Sequence, residues 1–484
     1  MRTVLLVTYT FPPQYDVSAR RTAKLCKYLP DYGWQPVVLT KDWEKDVAPE
    51  DRQTYAMVAH PAALNDIPGV TILRTRYRSH DNALRRLHER LGGVYGYGPA
   101  SAGTSNNGSR SASGNASHGG AAALSRWAPR TIARRALSLA APMFGDFPDA
   151  FRGWIDDAVP AGIECVRRYT IDAIVSLCPP ATAHVAASEI ARATGVPWVA
   201  QFDDLYSFHL ERQRPVWRRY SDRQHRRWMG QASLAGAITP AMLTYVNRTY
   251  GLQGDVVAVG FDPDESPQIT RGPADRFRLA YTGSVYPGDQ RPDLFFEGLE
   301  RFLQAEPSAA AQLEVVFAGT GRDDEMKRLL GGFPAAARAC VFRERLNPEA
   351  ALRLQREADA LLLLHYTAPS PAEGTLSFPA KTFEYLNAGR PILAIPSDPG
   401  GWGDRLLETT GAGVTARSPA DAAGLLERWV REWHEHGSLG YQGRPEEIAR
   451  YSQPRQTATL GRLLDRAVDV SRPGRAPGRA RGLR

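Results

Sequence analysis

Two successive series of short apolar runs, each run followed by a stretch of helical spacing, confine this chain to an α/β architecture built on parallel sheets. The first series opens at the N-terminus. Residues 4–7 form an apolar strand candidate and a loop with two prolines follows. After Ser18, Ala19, Ala23, Cys26 and Leu29 recur at helical spacing, and residues 37–39 make the next strand. Gly33 returns the chain promptly, as parallel crossovers require. The pattern recurs over residues 171–209, where 171–177 and 198–202 are strand candidates and Ala183, Ala186, Ala187, Ile190 and Ala191 form the helical stripe between them. The second series begins near Phe277. It predicts strands at 279–282, 313–318, 341–342 and 360–364, with helices at 292–303, 323–330 and 348–358, the last opened by Asn347 as cap and Pro348 at its first position.

A length of 484 residues exceeds what one hydrophobic core usually serves. The expectation is two doubly wound Rossmann-like domains, 1–260 and 276–445, with a hinge in 259–275. That segment holds Asp262 and Asp264 two apart, a spacing read as a linker turn rather than a metal site, because proline, acid and glycine clusters mark loops. Residues 99–125 are Gly, Ser, Ala and Asn, too poor in apolar bulk to fold, and are expected to be a disordered insertion.

Function concentrates in residues 378–395, FPAKTFEYLNAGRPILAI. Pro379 suits the first helical position, Gly389 the left-handed residue after the last turn, and 391–395 a buried strand. Phe383 and Leu386 share a core-facing side, whereas Lys381 and Glu384, three apart, project together on another. A lysine in a first turn opposes the positive end of the helix dipole, and a nearby anion would remove the conflict. The alternative is a solvated pair on an exposed face. A carboxylate that only accepts can take two vicinal ribose hydroxyls, while a lysine and a helix N-terminus hold a phosphate. The combination points to a nucleotide-sugar site.

The segment resembles the C-terminal signature of the GT-B glycosyltransferases of family 4. The family's second glutamate matches Glu384; its first, eight residues earlier, is Leu376 here. The N-terminal forty residues are similar to the same family, whose glycine pair after the first strand is replaced by Tyr15, Asp16, Val17 and Ser18. Arg20 and Arg21 just beyond face either phosphate or water. The loop at 283–291 resembles the family's donor-diphosphate loop, which implies donor contacts for Gly283, for Ser284 where an arginine is common, and for Arg291 in place of a lysine. Gly319 and Gly321 border the nucleotide on the same reading. In this family the loop after the strand at 198–202 helps place the acceptor, which assigns Asp203, Asp204 and His209 as catalytic candidates; capping or turn aspartates are the alternative. His184, inside the alanine-rich helix, reads as a buried, hydrogen-bonded histidine.

The resemblance implies transfer of a sugar from a nucleotide-sugar donor to an acceptor hydroxyl, with retention and without a bound metal or other cofactor. The acceptor is a saccharide, a lipid-linked sugar or a small metabolite. A GT-B sugar-nucleotide epimerase and a catalytically degenerate binding subunit are the rival readings. Residues 446–469 are expected to form a helix that crosses back onto the first domain.

Composition narrows the partners. No glycine occurs between Tyr9 and Tyr32, which discounts a dinucleotide-binding fingerprint. Cys26, Cys165, Cys178 and Cys340 lack metal or disulfide spacing and suit a reducing cytoplasm. No signal peptide or membrane-spanning run is evident. The net charge of +8 owes much to a basic tail, 471–484, with five arginines and no acid, and the pattern does not suggest nucleic acid. Arginines and aromatics at 212–228 make an anionic membrane surface a possible partner, with a solvated helix as the alternative. The stretch at 126–144 mixes basic and apolar residues without deciding between acceptor and membrane roles.

Overall fold

A computed structural model describes residues 1–14, 16–43, 67–77, 147–149, 151–205, 215–265, 267, 269, 275–286, 288–367 and 376–471. The expected insertion at 99–125, the stretch at 126–144, His209 and nearly all of the basic tail lie outside them.

The first lobe is a seven-stranded parallel sheet in the order β3-β2-β1-β4-β5-β6-β7. Its strands are β1 (Arg2–Val7), β2 (Trp34–Lys41), β3 (Thr71–Thr75), β4 (Ala173–Cys178), β5 (Trp198–Phe202), β6 (Leu234–Ala237) and β7 (Gly254–Val256). The helices between them are α1 (Val17–Tyr28), α2 (Ile155–Tyr169), α3 (Ala181–Thr194), α4 (Pro215–Met229) and α5 (Pro240–Tyr250). The second lobe is a six-stranded parallel sheet in the order β10-β9-β8-β11-β12-β13. Here β8 (Phe277–Thr282), β9 (Leu313–Ala318), β10 (Cys340–Arg343), β11 (Ala360–Leu364), β12 (Ile392–Ile395) and β13 (Gly413–Thr415) alternate with α6 (Pro292–Ala305), α7 (Asp323–Leu330), α8 (Pro334–Ala339), α9 (Pro348–Glu357), α10 (Lys381–Ala388), α11 (Trp402–Thr410) and α12 (Pro419–His436). Two further helices, α13 (Pro445–Ala449) and α14 (Gln453–Ser471), end the described chain.

Both sheets are buried on both faces, so their strands read as apolar runs rather than alternations. Successive residues nevertheless serve different cores. Val4 and Leu6 pack with Cys26 of α1 and Leu460, Leu463 and Leu464 of α14, whereas Leu5 and Val7 pack with α2 and α3 on the other face. In the second lobe Tyr281, Phe317 and Leu362 meet the aromatic face of α6, while Ala280, Val316 and Leu361 lie in the cluster that includes Phe383 and Leu386 of α10.

Several expected boundaries shift for local reasons. The helix expected from Pro379 begins at Lys381, because the Thr382 amide donates to the Pro379 carbonyl at 3.0 Å and Ala380 acts as the cap. Gly389 ends it with φ +66°, the conformation expected of it. The single helix expected at 446–469 is two, broken where Tyr451 and Ser452 pair with the linker. Phe261 donates to the Tyr451 carbonyl at 3.1 Å and Gln453 donates back to the Phe261 carbonyl at 2.6 Å. α14 lies against the first lobe, with Gly461 close to Tyr32 and Trp34, and Arg2 paired to Asp465 at 2.7 Å. The Asp262–Asp264 turn is also more than a linker bend. Asp262 is buried and accepts from the Tyr28 hydroxyl at 2.7 Å and from Lys27 at 3.0 Å, and Asp264 accepts from Lys27 at 2.7 Å.

Candidate functional site

The carboxyl ends of parallel strands are where open α/β sheets place their ligands, and here those ends gather around the start of α10. Lys381 donates from Nζ to the Ser284 carbonyl at 3.0 Å and lies 3.8 Å from the centre of the Tyr281 ring. The Tyr281 hydroxyl donates to the same carbonyl at 2.7 Å. Gly283 turns the chain over this lysine with φ +87°, the left-handed conformation that favours glycine, and a Cβ there would only touch Nζ at 3.4 Å. Burial pushes the Lys381 ammonium down to about 7, against the opposing pull of Glu384. The amides of Gly283 and Phe383 are already engaged, with the carbonyls of Ala318 and Ala380. The positive charge available to an anion here is therefore chiefly the lysine's own.

Glu384 sits one turn on and is half-buried. Its Oε1 accepts from Arg20 Nη1 at 3.3 Å and its Oε2 from Gln355 Nε2 at 3.4 Å. Gln355 also donates to Thr282 Oγ1 at 3.0 Å, and the Tyr385 hydroxyl accepts from the Thr282 amide at 2.9 Å, which fixes α10 against the end of β8. Glu384 thus meets the first lobe through Arg20, while Lys381 is held beneath the Gly283 turn of its own lobe. They are not a solvated pair on an outer surface.

The other expected residues divide. Asp204 reaches the second lobe, with its Oδ1 accepting from Ser377 Oγ at 3.4 Å and from the Leu205 amide at 2.7 Å. Asp203 turns inward. Its Oδ1 is 2.9 Å from Arg21 Nη1 and accepts from Gln201 Nε2 at 2.9 Å, while Arg21 also donates to the Val257 carbonyl at 2.8 Å. Burial raises the Asp203 carboxyl and lowers the Arg21 guanidinium, each opposed by the charge of its partner. Arg291, expected to supply the cation of the 283–291 loop, is exposed and clamps Asp293 through Nε and Nη2 at 2.9 and 2.6 Å. Its charge is met by its neighbour two residues on.

Gly319 and Gly321 take φ +73° and +68°, and a Cβ on Gly319 would press on the Arg345 backbone at 3.2 Å. Arg345 and Arg322 thereby flank the loop and act electrostatically on Tyr286, as does Asp204 from the first lobe. Sequence reasoning missed Tyr286, Arg322 and Arg345; their position just after strand ends was the available signal. His184 is buried with Nδ1 2.7 Å from Ser176 Oγ, and burial pushes it down to about 3, the structural role expected of it. Among the described residues no group of three His, Cys, Asp or Glu side chains is placed to hold a metal ion, and no helix is long and apolar enough to cross a membrane.

No family model and no curated protein matches the chain. Solved structures do. Sucrose-phosphate synthase from Thermosynechococcus elongatus aligns over 97% of this chain and 100% of its own, with a TM-score of 0.60 at 12% identity. Anabaena HepE in complex with UDP-glucose aligns over 97% and 100%, with a TM-score of 0.54 at 12% identity. An α,α-trehalose-phosphate synthase (UDP-forming) from Burkholderia vietnamiensis aligns over 97% and 100%, with a TM-score of 0.54 at 11% identity. The chain has the GT-B fold, with two Rossmann-like lobes facing a central cleft. At these identities the likeness establishes the architecture, and function has to be argued from the cleft.

Proposed function

We propose that the protein is a glycosyltransferase that moves a sugar from a nucleotide-sugar donor to an acceptor hydroxyl. The observation that carries this reading is the juxtaposition of Lys381 and Glu384, three residues apart on α10, the lysine beneath the Gly283 turn and the carboxylate reaching Arg20 of the opposite lobe. Glycosyl transfer releases a nucleoside diphosphate, so the site must meet developing negative charge in a low-dielectric setting. Lys381 supplies that charge, with Arg322 and Arg345 beside the neighbouring loop. Glu384 accepts the ribose hydroxyls. On this reading Asp204 orients the acceptor, a role supported by its position after β5 and its contact with Ser377 of the other lobe. No residue is assigned as a covalent nucleophile, and retention without a metal is part of the proposal. The binding of UDP-glucose by HepE makes uridine donors the first to test. The acceptor is a saccharide, a lipid-linked sugar or a small metabolite, and the exposed Arg223, Arg226 and Arg227 of α4 offer contact with an anionic membrane.

Purified protein should convert one member of a sugar-nucleotide panel to the nucleoside diphosphate only when pooled acceptors are present, with a glycosylated product seen by mass spectrometry. An unchanged panel, or an epimer formed without acceptor, contradicts the proposal.

Lys381 also sets a pH dependence. Near pH 8 its amine in the free protein is mostly neutral, and a bound diphosphate favours the charged form. The complex then holds more protons than the free protein, so donor affinity should fall as pH rises through about 7. Calorimetric titration in buffers of different ionisation enthalpy should report uptake of about one proton at about pH 8 and much less at about pH 6. Identical apparent enthalpies in all buffers at the higher pH contradict it.

A further inference from the structure

We infer that Arg20 is a positioning residue that couples donor binding to the arrangement of the two lobes, by holding the Glu384 carboxylate from across the cleft; the inference rests on the donor reading above. Arg20 belongs to α1 of the first lobe, and its guanidinium is largely shielded from solvent. One end, Nη1, lies 3.3 Å from Glu384 Oε1 in the second lobe, and the other, Nη2, lies 3.1 Å from Glu265 Oε2 at the start of the linker. Lys24, one turn along α1, reaches the same Glu265 oxygen at 2.7 Å. A single side chain therefore joins the helix of one lobe, the first turn of the linker and the proposed ribose-binding carboxylate of the other lobe. The planar fork of an arginine suits such a bridge better than the point charge of a lysine.

The consequence for a ligand follows from acceptor geometry. An ionised carboxylate offers about four lone-pair sites over its two oxygens. Arg20 uses one on Oε1 and Gln355 one on Oε2, which sets the plane of the group and leaves one on each oxygen for a vicinal diol. Because Arg20 stands on the opposite lobe, the plane is set from both sides only when the lobes are this close. Reciprocity then requires that a nucleotide bound to Glu384 favour the same lobe arrangement. Glu265 touches Arg20 and not Glu384, so its contribution to nucleotide affinity passes through Arg20.

The test uses the full chain, with UDP, GDP, ADP and dTDP as probes in calorimetry and small-angle scattering to report lobe separation. Arg20→Ala should weaken the nucleotide that the wild type binds roughly tenfold and enlarge the radius of gyration of the ligand-free protein. Arg20→Lys should recover part of the affinity. Glu265→Gln should weaken binding several-fold in the wild-type background and have no further effect in Arg20→Ala, a non-additivity that separate roles would not produce. Should Arg20→Ala not fold, Arg20→Lys and Glu265→Gln carry the same comparison. Wild-type affinity and wild-type dimensions in the Arg20 variants, with binding lost in Glu384→Ala, overturn the inference and leave the donor reading standing. If Glu384→Ala also binds as the wild type does, or no probe binds at all, both fall.

Discussion

Lys381→Ala is expected to weaken nucleotide-sugar binding roughly a hundredfold, and Glu384→Ala roughly tenfold to a hundredfold, with little change in melting temperature for either. Charge-assisted hydrogen bonds contribute about 1.5–3 kcal/mol each, and a decade of affinity corresponds to about 1.4 kcal/mol. Lys381 also packs along the Tyr281 ring, so Lys381→Met, which keeps the apolar stem, separates loss of charge from loss of packing. It should bind as weakly as the alanine variant. Calorimetry on folded variants measures this directly, and unchanged affinity in both the Lys381 and Glu384 variants contradicts the assignment of the site.

A comparably large effect on stability is expected at Arg21. Its side chain and that of Asp203 are almost wholly buried at 2% and 11% exposure, and the guanidinium also serves the Val257 carbonyl. Arg21→Ala leaves a carboxylate in a low-dielectric site with, among the described residues, only Gln201 to meet it, a change that typically costs about 3–5 kcal/mol. The urea midpoint should fall accordingly with the slope unchanged. Arg21→Met combined with Asp203→Asn removes both charges and should recover much of the loss. A cost below about 1 kcal/mol for Arg21→Ala, the range of an exposed pair, contradicts the view that this contact anchors α1 to the end of β5.

These two arginines mark the limit of what the chain discloses before it folds. Adjacent in sequence, Arg20 and Arg21 present the same chemistry on the same helix, and the text of the chain favours water for at least one of them without saying which. Only the fold assigns one to Glu384, 364 positions away, and the other to Asp203. Most strands of the second lobe were legible because two-sided burial favours largely apolar runs, as at 360–364 and at 313–318, where Glu314 is the one polar residue, and these match β11 and β9; the short β13 was not anticipated. Asn347 was legible as a cap because its side chain has one local task, accepting from the Ala350 amide at 2.8 Å. Lys381 and Glu384 could be paired through helical spacing, but the Ser284 carbonyl and Tyr281 ring that hold the lysine are set by tertiary packing.

Where expectations moved, tertiary hydrogen bonds had overridden local signals. Pro379 is an acceptable first helical residue, yet the chain uses its carbonyl to receive the Thr382 amide and starts α10 later. The continuous helical pattern at 446–469 breaks where Tyr451 and Ser452 meet Phe261. Arg291 could be read as a free cation only while Asp293, two residues on in the first turn of α6, was ignored, although it was visible in the sequence. Helix α12 was overlooked despite Ser418 as cap, Pro419 at the first position and Gly437 at the end, a start and a stop as plain as any in the chain.

Whether the start of α10 receives a nucleotide between the lobes is decided by a crystal structure with a bound nucleoside diphosphate. Ribose hydroxyls are expected on the Glu384 carboxylate and a phosphate oxygen within hydrogen-bond reach of Lys381 Nζ, with Arg20 still on Glu384 from the opposite lobe. A nucleotide seated elsewhere, with Lys381 and Glu384 retaining only their protein partners, would contradict it.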